Sequence, residues 1–233
     1  MESKEPGFGA ARAETIRYHR DFYSAHELGQ PGTWLAHPEP SVVRAIAAVR
    51  DDRPVVAYDL GAGVGRHTIP MLLMLPPKST VVAVDLLPDA LEDLRSNAPE
   101  SSSRLVTVPA DLVEFRFDVP ADLVVAFSTI EHLPERAAIR ALLGRIAAAT
   151  APGGIVQLGL VCDRYEIHSD GHHTPAFLET DLSAEQATAA VAAAFTAFDT
   201  IDQSERQTHV AESRDGDKYE LASTLVSVTL RHQ

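Results

Sequence analysis

The chain has 233 residues, 45% hydrophobic and 23% charged, with a formal net charge of −13, which fits one generous globular domain or a core domain carrying a lid. The negative charge repels phosphate backbones and anionic membranes, and no run of Lys or Arg makes a basic patch, so neither nucleic acid nor a membrane is expected as a partner. A single cysteine, Cys162, excludes an internal disulfide framework, and no apolar stretch reaches signal-peptide or membrane-spanning length, so the expected compartment is the cytoplasm.

Residues 1–10 mix Gly, Pro and charge and are expected to be disordered. Residues 11–26 read as a helix with Ile16, Phe22 and Tyr23 as apolar anchors, and 28–40 as a loop carrying the only tryptophan, Trp34. Residues 1–40 are therefore expected to form an arm or lid on a domain spanning 41–233. A short helix follows at 41–49, with Ser41 in the N-cap position.

From there the rhythm changes, and apolar runs of strand length alternate with helical patterns. Strands are expected at 54–59, 80–85, 104–108, 121–127 and 154–161. Helices are expected at 66–75, 88–97 and 135–149. Strands apolar on both faces and separated by helices make a parallel sheet covered on both sides. The tail differs: a helix at 183–194, then strands at 197–203 and 221–230 around an Asp215-Gly216 turn. The expected fold is thus α/β, a Rossmann-like doubly wound sheet of seven strands, mostly parallel with an antiparallel C-terminal strand, plus the N-terminal helical arm.

The segment Val55-Val56-Ala57-Tyr58-Asp59-Leu60-Gly61-Ala62-Gly63-Val64-Gly65 carries the chemistry. A strand ends at Asp59, glycines follow at alternate positions, and a helix begins. Glycine suits a sharp turn and the close approach of a ligand, and the helix start offers free N–H groups to an anion. A dinucleotide fingerprint requires a small residue where Arg66 stands, so the nicotinamide reading fails.

The pattern D-x-G-x-G-x-G resembles motif I of class I S-adenosylmethionine-dependent methyltransferases. The resemblance implies S-adenosyl-L-methionine as cofactor, with Asp59, Gly61, Ala62, Gly63 and Gly65 cradling its methionyl part and Arg66 pairing with its carboxylate. Asp85, followed by Leu86, ends the second strand where a carboxylate can accept from both ribose hydroxyls; an Asp there can also simply cap a helix. Asp111, with Leu112, matches the family's adenine position, or is a solvated loop acid. Phe127-Ser128-Thr129-Ile130-Glu131-His132-Leu133 is similar to the S-x-x-E-H-L motif of small-molecule methyltransferases, and 151–154 to the family's P-G-G turn. The matches cover 54–162.

Acceptor-side residues are expected at the carboxyl ends of the strands or on the arm. Glu131 is assigned to the substrate; His132 is a candidate base, or structural, as the family often uses this Glu-His pair; and Tyr18, Tyr23 and Trp34 form an aromatic wall, unless Tyr18 simply packs its helix on the core. The stretch His168-Ser169-Asp170-Gly171-His172-His173 holds a metal or anion, or is a polar surface loop; no metal is expected. The C-terminal third resembles the tellurite-resistance methyltransferases through Asp163, the segment Ala176-Phe177-Leu178-Glu179-Thr180-Asp181-Leu182, His209 and the Gly65-Arg66 pair. This implies acceptor handling by Asp163 and His209. The sequence departs from that group at Val210, where it has Arg, and in the acidic hairpin at 215–217. The expected activity is methyl transfer to a heteroatom (S, Se, Te, N or O) of a small molecule, by a monomer or homodimer. The alternative is a non-catalytic module that binds the same cofactor.

Overall fold

The computed structural model describes residues 7–49, 53–98, 102–177, 179–214 and 216–233. Most of the segment expected to be disordered, residues 1–6, lies outside the described residues, as do Leu178 and Asp215. Residues 8–10 are helical and open α1 (Phe8–Ala25).

The helix α2 (Pro40–Ala48) starts one residue earlier than the sequence reading placed it. Pro40 takes the first helical position, and Glu39 is the N-cap. Proline has no N–H to leave unsatisfied there and its φ is already helical. Ser41 is not the cap; it is buried, and its Oγ accepts from Gln157 Nε2 at 3.4 Å.

The alternation that follows is β1 (Val56–Leu60), α3 (Thr68–Met74), β2 (Thr80–Asp85), α4 (Pro88–Asn97), β3 (Leu105–Pro109), β4 (Ala121–Phe127) and α5 (Arg136–Ala149). The chain closes with β5 (Thr150–His168), β6 (His173–Pro175), α6 (Ala184–Ala194), β7 (Phe198–Arg214) and β8 (Asp217–His232). The sheet runs β3-β2-β1-β4-β5-β8-β7, with β6 added beside β5. Neighbours from β3 to β5 are parallel, and β8 lies antiparallel between β5 and β7.

Period-two alternation explains how both faces are covered. On β4, Val124 and Ala126 join Leu142, Leu143 and Ile146 of α5 in one cluster. Leu123, Val125 and Phe127 join Val42 and Ile46 of α2 and Met71 and Leu72 of α3 in the other. Each fully buried Leu or Ile contributes roughly 1.5–3 kcal/mol over exposure. Ser183 caps α6 with a reciprocal bond to Gln186.

Three features go beyond the sequence reading. The strand β5 continues to His168 through a bulge between Cys162 and Tyr165, β6 pairs with that extension, and β7 runs on to Arg214. The arm packs back over the sheet, where Ile16, Phe22, Tyr23, Leu28 and Trp34 cover Leu35, Val64, Leu87 and Ala90. That places α1 across the carboxyl ends of β1 and β2, where ligands bind in open α/β sheets.

Candidate functional site

The loop after β1 is tied to its neighbour strand, because the amides of Gly61 and Ala62 both donate to the Val84 carbonyl at 2.8 and 3.0 Å. Gly63 has φ 50°, in the left-handed region that only glycine adopts cheaply. A Cβ there would run into the Tyr23 hydroxyl of α1, and one on Gly61 would strike the Thr129 side chain beyond β4. The loop is thus a bare backbone surface roofed by the arm.

Asp85 braces this surface from β2. Its Oδ2 accepts from the Gly63 amide at 2.7 Å, and its Oδ1 accepts from the Leu87 amide at 2.9 Å. Burial raises its pKa, against the amides of Leu87, Gly63 and Leu86, which lower it. Each oxygen keeps a further lone pair for a ligand hydroxyl. Leu86 is exposed beside it. Asp59 lies below the loop, 1% exposed, and accepts from Thr68 Oγ1 at 2.6 Å. Burial pushes its carboxyl up to about 7.

The arm engages two of the expected cofactor residues. Asp111 Oδ2 pairs with Arg12 Nη2 of α1 at 2.6 Å, and Leu112 is buried in the main core. Arg66 Nε donates to the His37 carbonyl at 2.7 Å, and its Nη2 pairs with Glu39 at 3.2 Å. Its guanidinium also lies 5.9 Å from the Trp34 ring. Arg66, Trp34, Glu39, Arg44 and Arg206 line a cleft of about 510 Å³ between residues 33–44 and the strands β7 and β8. Phe127 closes β4 with its ring over the bare backbone of Gly159. Ser128 follows with φ 51°, turning the chain into the single 3-10 turn Ile130–His132.

That turn carries the acceptor-side candidates. His132 Nδ1 meets Glu179 Oε2 at 3.1 Å. Burial raises the Glu179 carboxyl, but the hydrogen bond and charge of His132, with a hydrogen bond from the Thr15 side chain, together outweigh it and hold the group down near 2. The His132 ring stands edge-on to His19 of α1 at 5.9 Å. His19 in turn lies 5.8 Å from Tyr23 and 6.4 Å from Trp34. His19 Nδ1 bonds the Thr15 carbonyl at 2.8 Å, which fixes a donor at that nitrogen. Burial, then nearby His132, lower its pKa to about 4, so the ring is neutral at pH 7. Glu131 is 1% exposed, and among the described residues neither carboxylate oxygen has a hydrogen-bond partner.

Asp163 and His209 stand apart from this group. Asp163, at φ 49°, donates its amide to the Leu182 carbonyl and accepts from the Ala184 amide at 3.1 Å, at the start of α6. His209 sits on β7 and pairs with Glu220 at 2.6 Å. Among the described residues no hydrogen bond or ring contact joins either to His132. The stretch 168–173 forms the β5–β6 turn. There His168 Nε2 meets Thr174 Oγ1 at 2.8 Å and the His168 and His172 rings stack at 4.6 Å. His19 was not assigned to the site from sequence, and Glu179 entered only as part of the 176–182 segment that the resemblance connects with the acceptor. The signal for His19 is its spacing of four from Tyr23, which puts both on one helix face.

Residues 57–154 match the family described as "Methyltransferase domain". No curated protein matches the sequence significantly. Solved structures share the fold. The N-methyltransferase NodS from Bradyrhizobium japonicum, in complex with S-adenosylhomocysteine, has TM-score 0.61 at 14% identity, covering 94% of this chain and 98% of that one. TehB from Haemophilus influenzae has TM-score 0.65 at 14% identity, covering 92% and 67%. The 1,6-didemethyltoxoflavin-N1-methyltransferase of Burkholderia thailandensis has TM-score 0.58 at 20% identity, covering 97% and 89%. The architecture is the Rossmann-like methyltransferase fold, with its mostly parallel sheet, antiparallel C-terminal strand pair and N-terminal helix. Among the described residues no helix is long and apolar enough to cross a membrane.

Proposed function

We propose, from the premise that residues 57–154 are a class I methyltransferase domain, that the protein is a cytoplasmic enzyme methylating a heteroatom of a small molecule from S-adenosyl-L-methionine. The observation that carries this reading is the glycine loop, bare at Gly63 and braced through its amide by Asp85. The residues present suit the cofactor: Asp85 has lone pairs for ribose hydroxyls, the loop carries no side chain at Gly61, Gly63 and Gly65 to keep a ligand off its backbone, and Asp111 and Leu112 follow β3 at the adenine position. NodS and the toxoflavin enzyme, both with S-adenosylhomocysteine bound, support the same cofactor here.

The cofactor supplies a methyl group on a sulfonium, transferred in line to a nucleophilic atom. What the chain contributes is alignment and exclusion of water. The arm, through residues 7–40, acts as the lid of the domain that follows. Tyr23 and Trp34 wall the acceptor side, and Glu131 and His132 face the acceptor. Arg66 turns toward the methionyl carboxylate only if it exchanges Glu39 for it. Two buried carboxylates, Glu131 and Glu179, with a half-buried His132 between the turn and the arm, are what an acceptor pocket needs and a cofactor sensor does not.

Titration calorimetry with S-adenosylhomocysteine tests the assignment. Asp85→Ala is expected to weaken binding by about 1.5–3 kcal/mol for each hydrogen bond lost to the carboxylate. Unchanged affinity would remove Asp85 from the cofactor site.

A further inference from the structure

Both carboxylate oxygens of Glu131, and Oε1 of Glu179 by bond geometry, are buried without a hydrogen-bond partner among the described residues, although the Thr15 side chain of α1 reaches the Glu179 carboxylate. The two segments that carry them are stitched together. His132 bonds Glu179, the Thr180 hydroxyl bonds the Leu133 carbonyl, and Arg164 Nη2 reaches the carbonyls of both Glu131 and Thr180 at 3.5 Å. An unpaired buried carboxylate costs several kcal/mol, so a fold that keeps one must pair it in its working state. The neighbouring cations are committed elsewhere. Arg12 is held by Asp111, Arg66 by Glu39, Arg214 by Glu166, and Arg164 by the two backbone carbonyls. The His19 ring is neutral. The covered region therefore carries Glu131, Glu179, Asp59 and Asp85, and among the described residues the imidazole beside them, His132, is already paired with Glu179, which leaves the Glu131 carboxylate without a partner.

Resting on the methyltransferase reading above, we propose that the acceptor is an amine, which enters as an ammonium ion and is held by Glu131 and Glu179. An ammonium brings three N–H donors and a positive charge to the two unpartnered oxygens of Glu131 and to Oε1 of Glu179. The His19 ring touches His132 and, in turn, Tyr23 and Trp34, and the faces of those two aromatic rings favour a cation. Oxyanions and thiolates meet like charge, a repulsive element that sets specificity. In the transfer, the ammonium gives one proton to the Glu131 carboxylate. The freed nitrogen lone pair then forms the bond to the methyl carbon, and the carbon–sulfur pair returns to sulfur. The products are S-adenosylhomocysteine and the N-methylated amine, which leaves as an ammonium with one proton more than its neutral form.

Sinefungin, an analogue of S-adenosylmethionine with C–NH₃⁺ in place of S–CH₃, places an ammonium where the acceptor nitrogen approaches. Calorimetry is expected to show it binding on the order of tenfold more tightly than S-adenosylhomocysteine. In Glu131→Gln that preference falls to near parity, while affinity for S-adenosylhomocysteine and the ratio of S-adenosylmethionine to it stay unchanged. Three results would each overturn the proposal: parity in the wild type, a preference surviving in both Glu131→Gln and Glu179→Gln, or an equal loss for S-adenosylmethionine, which would assign Glu131 to the sulfonium. Failure of S-adenosylhomocysteine itself to bind would strike the methyltransferase reading instead.

Discussion

Single residues decide the cofactor loop. At Gly63 two demands coincide: a left-handed φ of 50° and a Tyr23 hydroxyl occupying the place of a side chain. Gly63→Val is expected to abolish S-adenosylhomocysteine binding in calorimetry while the far-ultraviolet circular dichroism keeps its wild-type shape. Retained binding would mean that the loop is only a turn. This constraint was legible in the sequence because it acts on the backbone of a few adjacent residues. The partners of Asp111 and Arg66 were not legible. Arg12 and Asp111 are 99 residues apart, and Arg66 and Glu39 are 27 apart. An ion pair between surfaces brought together by the fold leaves no local pattern. The orphan state of Glu131 is a property of burial, and the S-x-x-E-H-L motif locates the residue without disclosing it.

At the scale of elements, α1 and the long C-terminal hairpin close on each other. Tyr18 of α1 donates to Glu212 of β7 at 2.8 Å. Arg214 Nη2 holds Glu166 of β5 at 2.6 Å, with the Glu166 side chain only 4% exposed. Arg214→Ala leaves that carboxylate buried and unpaired, and chemical denaturation is expected to show a loss of about 3 kcal/mol. A loss below roughly 0.5 kcal/mol would make the pair a surface ornament. The arm also carries a pH signature. Burial lowers His19 from 6.5 to about 4, so between those values the unfolded chain binds a proton that the folded arm refuses. Its stabilising contribution is complete above pH 6.5 and is lost as pH falls toward 4. As pH falls across that window, stability is expected to drop more in the wild type than in His19→Asn; in both proteins His67, lowered to about 3 by burial, adds to the fall, and Asp59, raised to about 7, opposes it. Superimposable profiles would contradict the buried, neutral assignment. The boundaries of β2, α4 and β4 were readable because apolar runs end in turn-formers there. The far half of β5 was not readable: its bulge at Cys162/Tyr165 breaks the alternation and brings in Asp163 and Arg164. The distal part of β7 is polar and largely exposed, so no hydrophobic period marks it as strand. It is held by its ladder to β8.

Across the whole molecule, the doubly covered sheet follows from strands that are apolar on both faces, and that pattern was fully present in the sequence. The closing of the arm over the loop was only half present, as an amphipathic helix and a lone Trp34 whose destination nothing local specifies. The central claim is that this enclosed loop binds an adenosyl sulfonium ligand and not a nicotinamide. A thermal-shift series with S-adenosylmethionine, S-adenosylhomocysteine, NAD and NADP tests it directly. A ligand at about 100 times its dissociation constant adds roughly 2.7 kcal/mol to the folded state. For a chain of this size that is a rise of roughly 5–10 °C in melting temperature. The account predicts that rise with the two adenosyl compounds and none with NAD or NADP. A shift with NAD or NADP, or no shift with either adenosyl compound, would contradict it.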